Sequence, residues 1–93
     1  MAEDPRIRRR VRVTGQVQGV FFRDSTRRQA QQRGVAGWVA NRQDGSVEAV
    51  FEGDPDGVAG MVAFAQSGPR GATVANVDVS DEEPEGLSGF EVR

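Results

Sequence analysis

The chain has 93 residues and contains no Cys, His, Lys or Tyr. These absences exclude disulfides and the usual proton shuttle near neutral pH, and they make a zinc site improbable. The length predicts a single domain over residues 1–93, with residues 1–5 as a loose tail. No apolar leader or membrane-length apolar run is present in the sequence, so we expect a soluble, cytoplasmic protein without a membrane partner.

The formal net charge of −2 conceals two halves of opposite sign. Residues 1–42 carry ten Arg against three acidic residues, a balance of +7, whereas residues 43–93 carry two Arg against eleven acidic residues, a balance of −9. Such asymmetry can mark a basic arm that binds nucleic acid or a membrane. It can equally result from which strands become neighbours in the fold.

The first third of the chain predicts a strand, a loop and a helix. Apolar residues alternate with arginines over Arg6–Thr14, the pattern of a half-buried strand. Glycines bound a loop over residues 15–19, and a helix is predicted over Phe22–Arg33, ending at Gly34. Its buried stripe is expected to consist of Phe22, Thr26 and Ala30.

Two further strands and a helix follow. Strands are predicted over Val35–Asn41 and Ser46–Glu52, joined at an Asp44–Gly45 hairpin turn. Asp54 and Pro55 predict the N-cap and first position of a second helix. This helix should bury Val58, Met61, Val62 and Ala65 and end at Gly68–Pro69.

The last segment predicts a strand over Val74–Ser80, an acidic loop over Asp81–Ser88 and a short closing strand over Gly89–Arg93. The order β-α-β-β-α-β with a short fifth strand predicts an α+β, ferredoxin-like sandwich. Two helices should cover one face of a mainly antiparallel sheet, and the other face should be open to water.

The segment Gly15–Arg23 carries the strongest functional signal. It joins a strand to a helix, and successive backbone N–H groups in such a loop can converge on an anion beside the positive helix N-terminus. Arg23 could complete the site with a bidentate guanidinium. Alternatively, the segment is a glycine-rich crossover whose Arg23 lies idle on the surface and whose Gln18 is simply solvated. The residues alone leave both readings open.

Other polar and aromatic residues have ordinary explanations. Asn41 ends a strand and could orient a water molecule, but it could also cap a turn. Asp24 could act as a base, although an acidic residue at a helix N-terminus needs no function. Phe21 and Phe22 are predicted to fill the core, and Trp38 is expected to pack there as well.

Three segments together resemble the acylphosphatase family. They are Gly15-x-Val17-Gln18-Gly19-Val20-x-Phe22-Arg23, then Gly37-Trp38-Val39-x-Asn41, then Asp44-Gly45-Ser46-Val47-Glu48. The resemblance extends over nearly the whole chain, and a single domain is similar to the free-standing enzymes of that family. It implies hydrolysis of acyl phosphates to a carboxylate and inorganic phosphate. It also implies a fifth strand inserted between the first and second.

The resemblance assigns roles to individual residues. Arg23 would bind the phosphate, and Asn41 would position the attacking water. The cradle would be formed by the backbone N–H groups of Gln18, Gly19, Val20, Phe21, Phe22 and Arg23. No cofactor and no metal is implied, because a carboxylate is a good leaving group and Arg23 supplies a cation. The partner would be a small-molecule acyl phosphate or an acyl-phosphorylated protein, and we expect a monomer.

Two other functions remain as alternatives. Ferredoxin-like domains can bind RNA on the open sheet face, where Arg8, Arg10 and Arg12 are expected. Base stacking would need exposed aromatic residues that the first and third strands lack, so no nucleic-acid partner is expected. A non-catalytic regulatory domain is the second alternative.

The predicted layout also accounts for the opposite charges of the two halves. With the first strand between the third and fifth, Arg8, Arg10 and Arg12 would pair with Glu48, Glu52 and Glu91 across a solvated face.

Overall fold

A computed structural model describes residues 5–93. The predicted N-terminal tail therefore lies outside the described residues, apart from Pro5. The helices and strands are β1 (Ile7–Gln16), α1 (Phe22–Arg33), β2 (Ala36–Asn41), β3 (Val47–Gly53), α2 (Pro55–Ser67), β4 (Thr73–Glu82) and β5 (Phe90–Val92). Across residues 5–93, neither helix is long and apolar enough to span a membrane.

The five strands form one sheet in the order β4-β1-β3-β2-β5, antiparallel except for the β2–β5 pair. The predicted ferredoxin-like layout is thus confirmed, but the expected position of the fifth strand is wrong. Both edges of β1 are occupied by the longer strands β3 and β4, so β5 pairs instead with the free edge of β2. There Gly37 N–H donates to Gly89 C=O over 3.0 Å, which anchors the start of this short strand.

Both helices pack on one face of the sheet. The buried residues of α1 are the three predicted from their spacing, and Asp54 caps α2 by accepting a 2.8 Å hydrogen bond from Gly57 N–H. The apolar stripe of α2 is buried as predicted. Beneath the helices, Phe51 of β3 stacks on Phe90 of β5 at 6.1 Å between ring centroids, which fixes the edge strand to the core.

The opposite face of the sheet carries a network of ion pairs. Arg10 lies between Glu48 and Glu82, at 2.6 Å from each carboxylate, and Arg12 pairs with Asp44. Because β1 is flanked by β3 and β4, the expected pairing with Glu91 is wrong and Glu82 takes its place. The mixing of the positive and negative halves of the chain is nevertheless confirmed.

Part of this face is buried rather than solvated. Glu52 is fully buried, and its carboxylate accepts hydrogen bonds from the backbone N–H groups of Glu85, Gly86 and Leu87 at 3.0, 2.8 and 2.9 Å. Arg8, 4% exposed, donates to the same carboxylate at 3.3 Å. Burial by itself would raise the pKa of Glu52, but these donors outweigh it and lower the pKa to about 2. The acidic loop after β4 therefore folds onto the sheet, with Glu52 as its attachment point.

Trp38 packs on this same face and not among the helices. It is 8% exposed and forms a small buried cluster with Ala40 and Val50. Three guanidinium groups lie over its ring, those of Arg10, Arg42 and Arg93, at 5.4, 5.5 and 4.8 Å from the centroid. The expected burial of Trp38 is confirmed, and arginine side chains shield its ring from solvent.

Candidate active site

A cavity of about 740 Å³ lies where β1 passes into α1, beside the ends of β2 and β5. It brings together residues that are distant in sequence, and the motif residues Gly19, Arg23 and Asn41 are among those that line it. The volume is in the range of sites that hold small organic molecules.

The loop between β1 and α1 has a backbone that few sequences could adopt. At Gly15 the register of β1 against β4 shifts, φ is +126°, and a Cβ would collide with the Thr73 carbonyl oxygen. Gly19 also has positive φ, at +76°. Within residues 5–93, the backbone N–H groups of residues 18–23 donate to no protein acceptor. These consecutive amides are therefore available to an anion.

Side chains of this loop anchor it to the core and to the β2–β3 turn. Val17 is fully buried and Val20 packs against the same core. The Gln18 carboxamide N–H group donates to the carbonyl oxygens of Arg42 and Ser46, at 2.7 and 2.8 Å. Gln18 is thus a tether between the loop and the β2–β3 turn, rather than the simply solvated residue that its sequence context allowed.

The β2–β3 turn is itself well defined, as the Asp44–Gly45 signal predicted. The Asp44 carboxylate accepts from both the hydroxyl and the backbone N–H of Ser46, at 2.6 and 2.9 Å, and it pairs with Arg12. The hydrogen bonds from Ser46, together with Arg12, lower the pKa of Asp44 to about 2. Asp44 therefore has a structural role in holding the turn to which Gln18 is tied.

Arg23 lies in the first turn of α1 and lines the cavity. One guanidinium N–H donates to the carbonyl oxygen of Arg93 over 3.1 Å. Among the residues that the structure describes, nine of the twelve arginines form ion pairs with a carboxylate, whereas Arg23 forms none. Arg33 and Arg70 also form none, but they lie outside the cavity. The Arg23 guanidinium is thus the cavity's cation without an ion-pair partner among the described residues, and most of its donors are available.

Asn41 ends β2 on the cavity wall and is partly buried. Across residues 5–93, no hydrogen bond engages its side chain, and the turn-capping alternative therefore has no support. A carboxamide can accept from a water molecule and donate to a second oxygen. Asn41 and the unpaired Arg23 guanidinium thus line the same cavity.

Asp24 also lines the cavity, but its geometry makes it a poor base. Its carboxylate pairs with Arg27 at 2.6 Å and with Arg28 at 2.8 Å. The hydrogen bond from Arg27 and the nearby charge of Arg28 lower the pKa of Asp24. In residues 5–93, no group of three or more acidic side chains is arranged to hold a metal ion.

The two adjacent phenylalanines behave differently. Phe22 is 3% exposed and packs in the core as predicted, but the same prediction for Phe21 is wrong, since its side chain is 82% exposed. The reason is local geometry. Phe21 occupies the N-cap position of α1 in a left-handed conformation, with φ 58° and ψ 26°, which turns its side chain away from the core and toward the cavity rim.

Sequence reasoning missed the contribution of β5 to the cavity. Phe90, Glu91 and Val92 line it, and the Arg93 carbonyl oxygen accepts from Arg23. The alternation in this segment predicted a strand, but nothing in it indicated which edge of the sheet the strand would join. Arg27 is a further lining residue that no sequence signal identified.

Fold and cavity together define a class of protein: an α+β sandwich with a cavity beside its first strand–loop–helix connection, which carries Arg23 and several backbone amides without protein acceptors among the described residues. Comparison with known proteins narrows this class. The family model described as acylphosphatase matches residues 9–92. The curated acylphosphatase of Thermococcus kodakarensis is 53% identical over 87 residues, which are 94% of this chain and 96% of that protein.

Other relatives agree. The acylphosphatase of a Nostoc species is 58% identical over 87 residues, covering 94% of this chain and 86% of that protein. The structure of an acylphosphatase from Coxiella burnetii superimposes with a TM-score of 0.90 at 39% identity, covering 95% of this chain and 93% of that one. The chain belongs to the acylphosphatase family, and acyl phosphate hydrolysis is the enzymatic activity that this membership supports.

Proposed function

We propose that the protein hydrolyses acyl phosphates with the phosphoryl group bound by Arg23 and by the backbone N–H groups of residues 18–23, and with the attacking water positioned by Asn41. The observation that carries this proposal is the uncompensated Arg23 guanidinium, adjoining a loop of unused amide donors. Both features favour a dianionic group, and both belong to one strand–loop–helix connection.

The chemistry requires little beyond binding and alignment. The water oxygen attacks phosphorus while the bond from phosphorus to the acyl oxygen breaks, and the bonding electrons leave with the carboxylate. A phosphate oxygen of the substrate accepts the water proton, which yields inorganic phosphate and the free carboxylate. The cradle and Arg23 stabilise the phosphoryl charge, and Asn41 aligns the water in line with the leaving oxygen. A chain without His or Cys can carry out such a reaction.

The direct test is hydrolysis of benzoyl phosphate, followed by the loss of the acyl phosphate absorbance. We expect turnover that is unchanged when EDTA is present throughout, because Arg23 provides the positive charge that a metal ion provides in other phosphoryl-transfer enzymes. Absence of hydrolysis would favour a non-catalytic regulatory domain. Hydrolysis that stops on chelation and returns with added Mg²⁺ would contradict the role given to Arg23.

Substitution of Asn41 separates water positioning from phosphate binding. We expect Asn41→Ala to lower kcat by on the order of 10²-fold, since a misaligned nucleophile loses most of its effective concentration. Competitive inhibition by inorganic phosphate should stay nearly unchanged, because the cradle and Arg23 are intact. Asn76→Ala, which removes an exposed carboxamide from β4, is the matched control. Loss of phosphate inhibition in Asn41→Ala would instead place Asn41 in the cradle.

The ion-pair network weighs against the nucleic-acid alternative. Arg8, Arg10 and Arg12 on the open face all pair with carboxylates, so phosphates would have to displace existing partners. The aromatic residue on that face, Trp38, is covered by guanidinium groups and offers no stacking surface. A salt titration of binding to a single-stranded oligonucleotide tests this alternative directly.

A further inference from the structure

The cavity has an apolar rim that phosphate binding does not use. Among residues 5–93, three large apolar side chains are exposed: Phe21 at 82%, Val92 at 43% and Val79 at 42%. Two of these, Phe21 and Val92, line the cavity, whereas Val79 lies on β4, away from it. Exposed apolar side chains are ordinary when scattered, but these two line one cavity and are therefore accessible to a ligand within it.

Phe21 is also the one residue other than glycine with positive φ in the described part of the chain. The left-handed conformation is unfavourable for a large side chain, and such strain tends to persist where it serves binding or catalysis. Phe21 is not part of the core cluster, and its side chain does not cap α1. The fold therefore gains neither packing nor a helix cap from the aromatic ring at this position.

The location of the two side chains relates them to the substrate. Phe21 lies two residues before Arg23, at the end of the amide loop, and Val92 lies on β5 next to Val39 of β2. A phosphoryl group held by the loop and Arg23 would fill only part of the 740 Å³ cavity. The acyl part of the substrate must enter the remaining space. Besides Phe21 and Val92, the charged side chains of Asp24, Arg27 and Glu91 line the cavity, but Asp24 and Glu91 are paired with arginines.

We propose that Phe21 and Val92 form the acyl-binding surface of the enzyme, so that it favours acyl phosphates with an aromatic or bulky apolar acyl group over acetyl phosphate. This inference rests on the proposed function of the cavity. The phosphoryl end is held by charge and amide hydrogen bonds, which all substrates share. The aromatic ring of Phe21 and the methyl groups of Val92 contact only the acyl end, and they therefore determine specificity rather than chemistry.

The test compares benzoyl phosphate with acetyl phosphate, which differ in the acyl group alone. In Phe21→Ala, the KM for benzoyl phosphate should rise relative to that for acetyl phosphate by roughly 2- to 10-fold, the loss of one aromatic contact. Because any change in the cradle affects both substrates, it cancels in this ratio. Val92→Ala should shift the ratio in the same direction, and Val79→Ala should leave it unchanged.

A second variant separates the effect of losing the aromatic ring from any effect on the backbone conformation. Asn tolerates the left-handed conformation, so Phe21→Asn removes the ring while retaining the geometry of the loop. Both Phe21 variants should lose the preference for benzoyl phosphate, with thermal unfolding by circular dichroism confirming that each is folded. An unchanged ratio in both variants would overturn this inference while leaving the proposed function intact. If the wild-type protein hydrolyses neither substrate, the proposed function itself fails.

Discussion

Arg23→Ala is expected to lower kcat for benzoyl phosphate by on the order of 10²–10³ or more, as happens when a main donor to a developing oxyanion is lost. The structure offers no substitute for this charge at the cavity. The other lining arginine, Arg27, pairs with Asp24 at 2.6 Å, and the remaining donors there are uncharged backbone amides and Asn41. Inhibition by inorganic phosphate should weaken together with kcat, because the same guanidinium binds substrate and product.

Two further variants make this experiment decisive. Arg28→Ala removes an exposed arginine from the same helix outside the cavity, and it should retain nearly full activity. Arg23→Lys keeps the charge but not the planar pair of donors, so it should recover only part of the lost rate. If Arg23→Ala turned over benzoyl phosphate at the rate of Arg28→Ala, the phosphoryl charge would have to be stabilised elsewhere and the proposed site would be wrong.

The largest effect on stability is expected at Glu52, far from the chemistry. Glu52→Ala should reduce the free energy of unfolding by on the order of 3–5 kcal/mol, the usual result of removing one member of a buried ion pair. Three backbone N–H groups of the loop after β4 would lose their acceptor, and buried Arg8 would lose one of its partners. Urea unfolding followed by circular dichroism measures the loss.

Glu83→Ala, an exposed acid in the same loop, should change stability by less than about 0.5 kcal/mol. The pH dependence gives a second signature. The pKa of Glu52 is about 2 in the folded protein and about 4.5 when unperturbed, so its stabilisation is fully present above pH 4.5 and declines as pH falls toward 2. The difference between wild type and Glu52→Ala should shrink over that range. A difference independent of pH would mean that the carboxylate charge contributes little.

Local sequence patterns predicted the helices and strands well because each depended on neighbouring residues. The spacing of Phe22, Thr26 and Ala30 identified the buried side of α1, and Asp54 identified the start of α2. The glycine loop followed by Arg23 predicts an anion site, because the donors that such a site needs are contiguous in the chain, and this stays a prediction. The resemblance to the family was needed to favour Asn41, whose role depends on where the end of β2 lies relative to that loop.

Features that depend on long-range packing could not be predicted in the same way. The sheet edge that β5 joins is decided by the stacking of Phe90 on Phe51 and by the long strands on either side of β1. The burial of Glu52 required the acidic loop to return over the sheet, which no local pattern indicates. Aromatic residues usually lie in the core, which predicts burial of Phe21, and it is the left-handed backbone at this position that exposes its ring.

The guanidinium-covered indole provides an intrinsic optical probe. Trp38 is the chain's single tryptophan, so its emission arises from one known environment. Arg42, which stacks on the ring, follows Asn41 directly, and its carbonyl oxygen accepts from Gln18 of the amide loop. The Arg93 guanidinium also lies over the ring. The backbone carbonyl oxygen of Arg93 accepts a hydrogen bond from the Arg23 guanidinium. We therefore expect Trp38 emission to report ligand occupancy at the cavity as well as global unfolding, without any label.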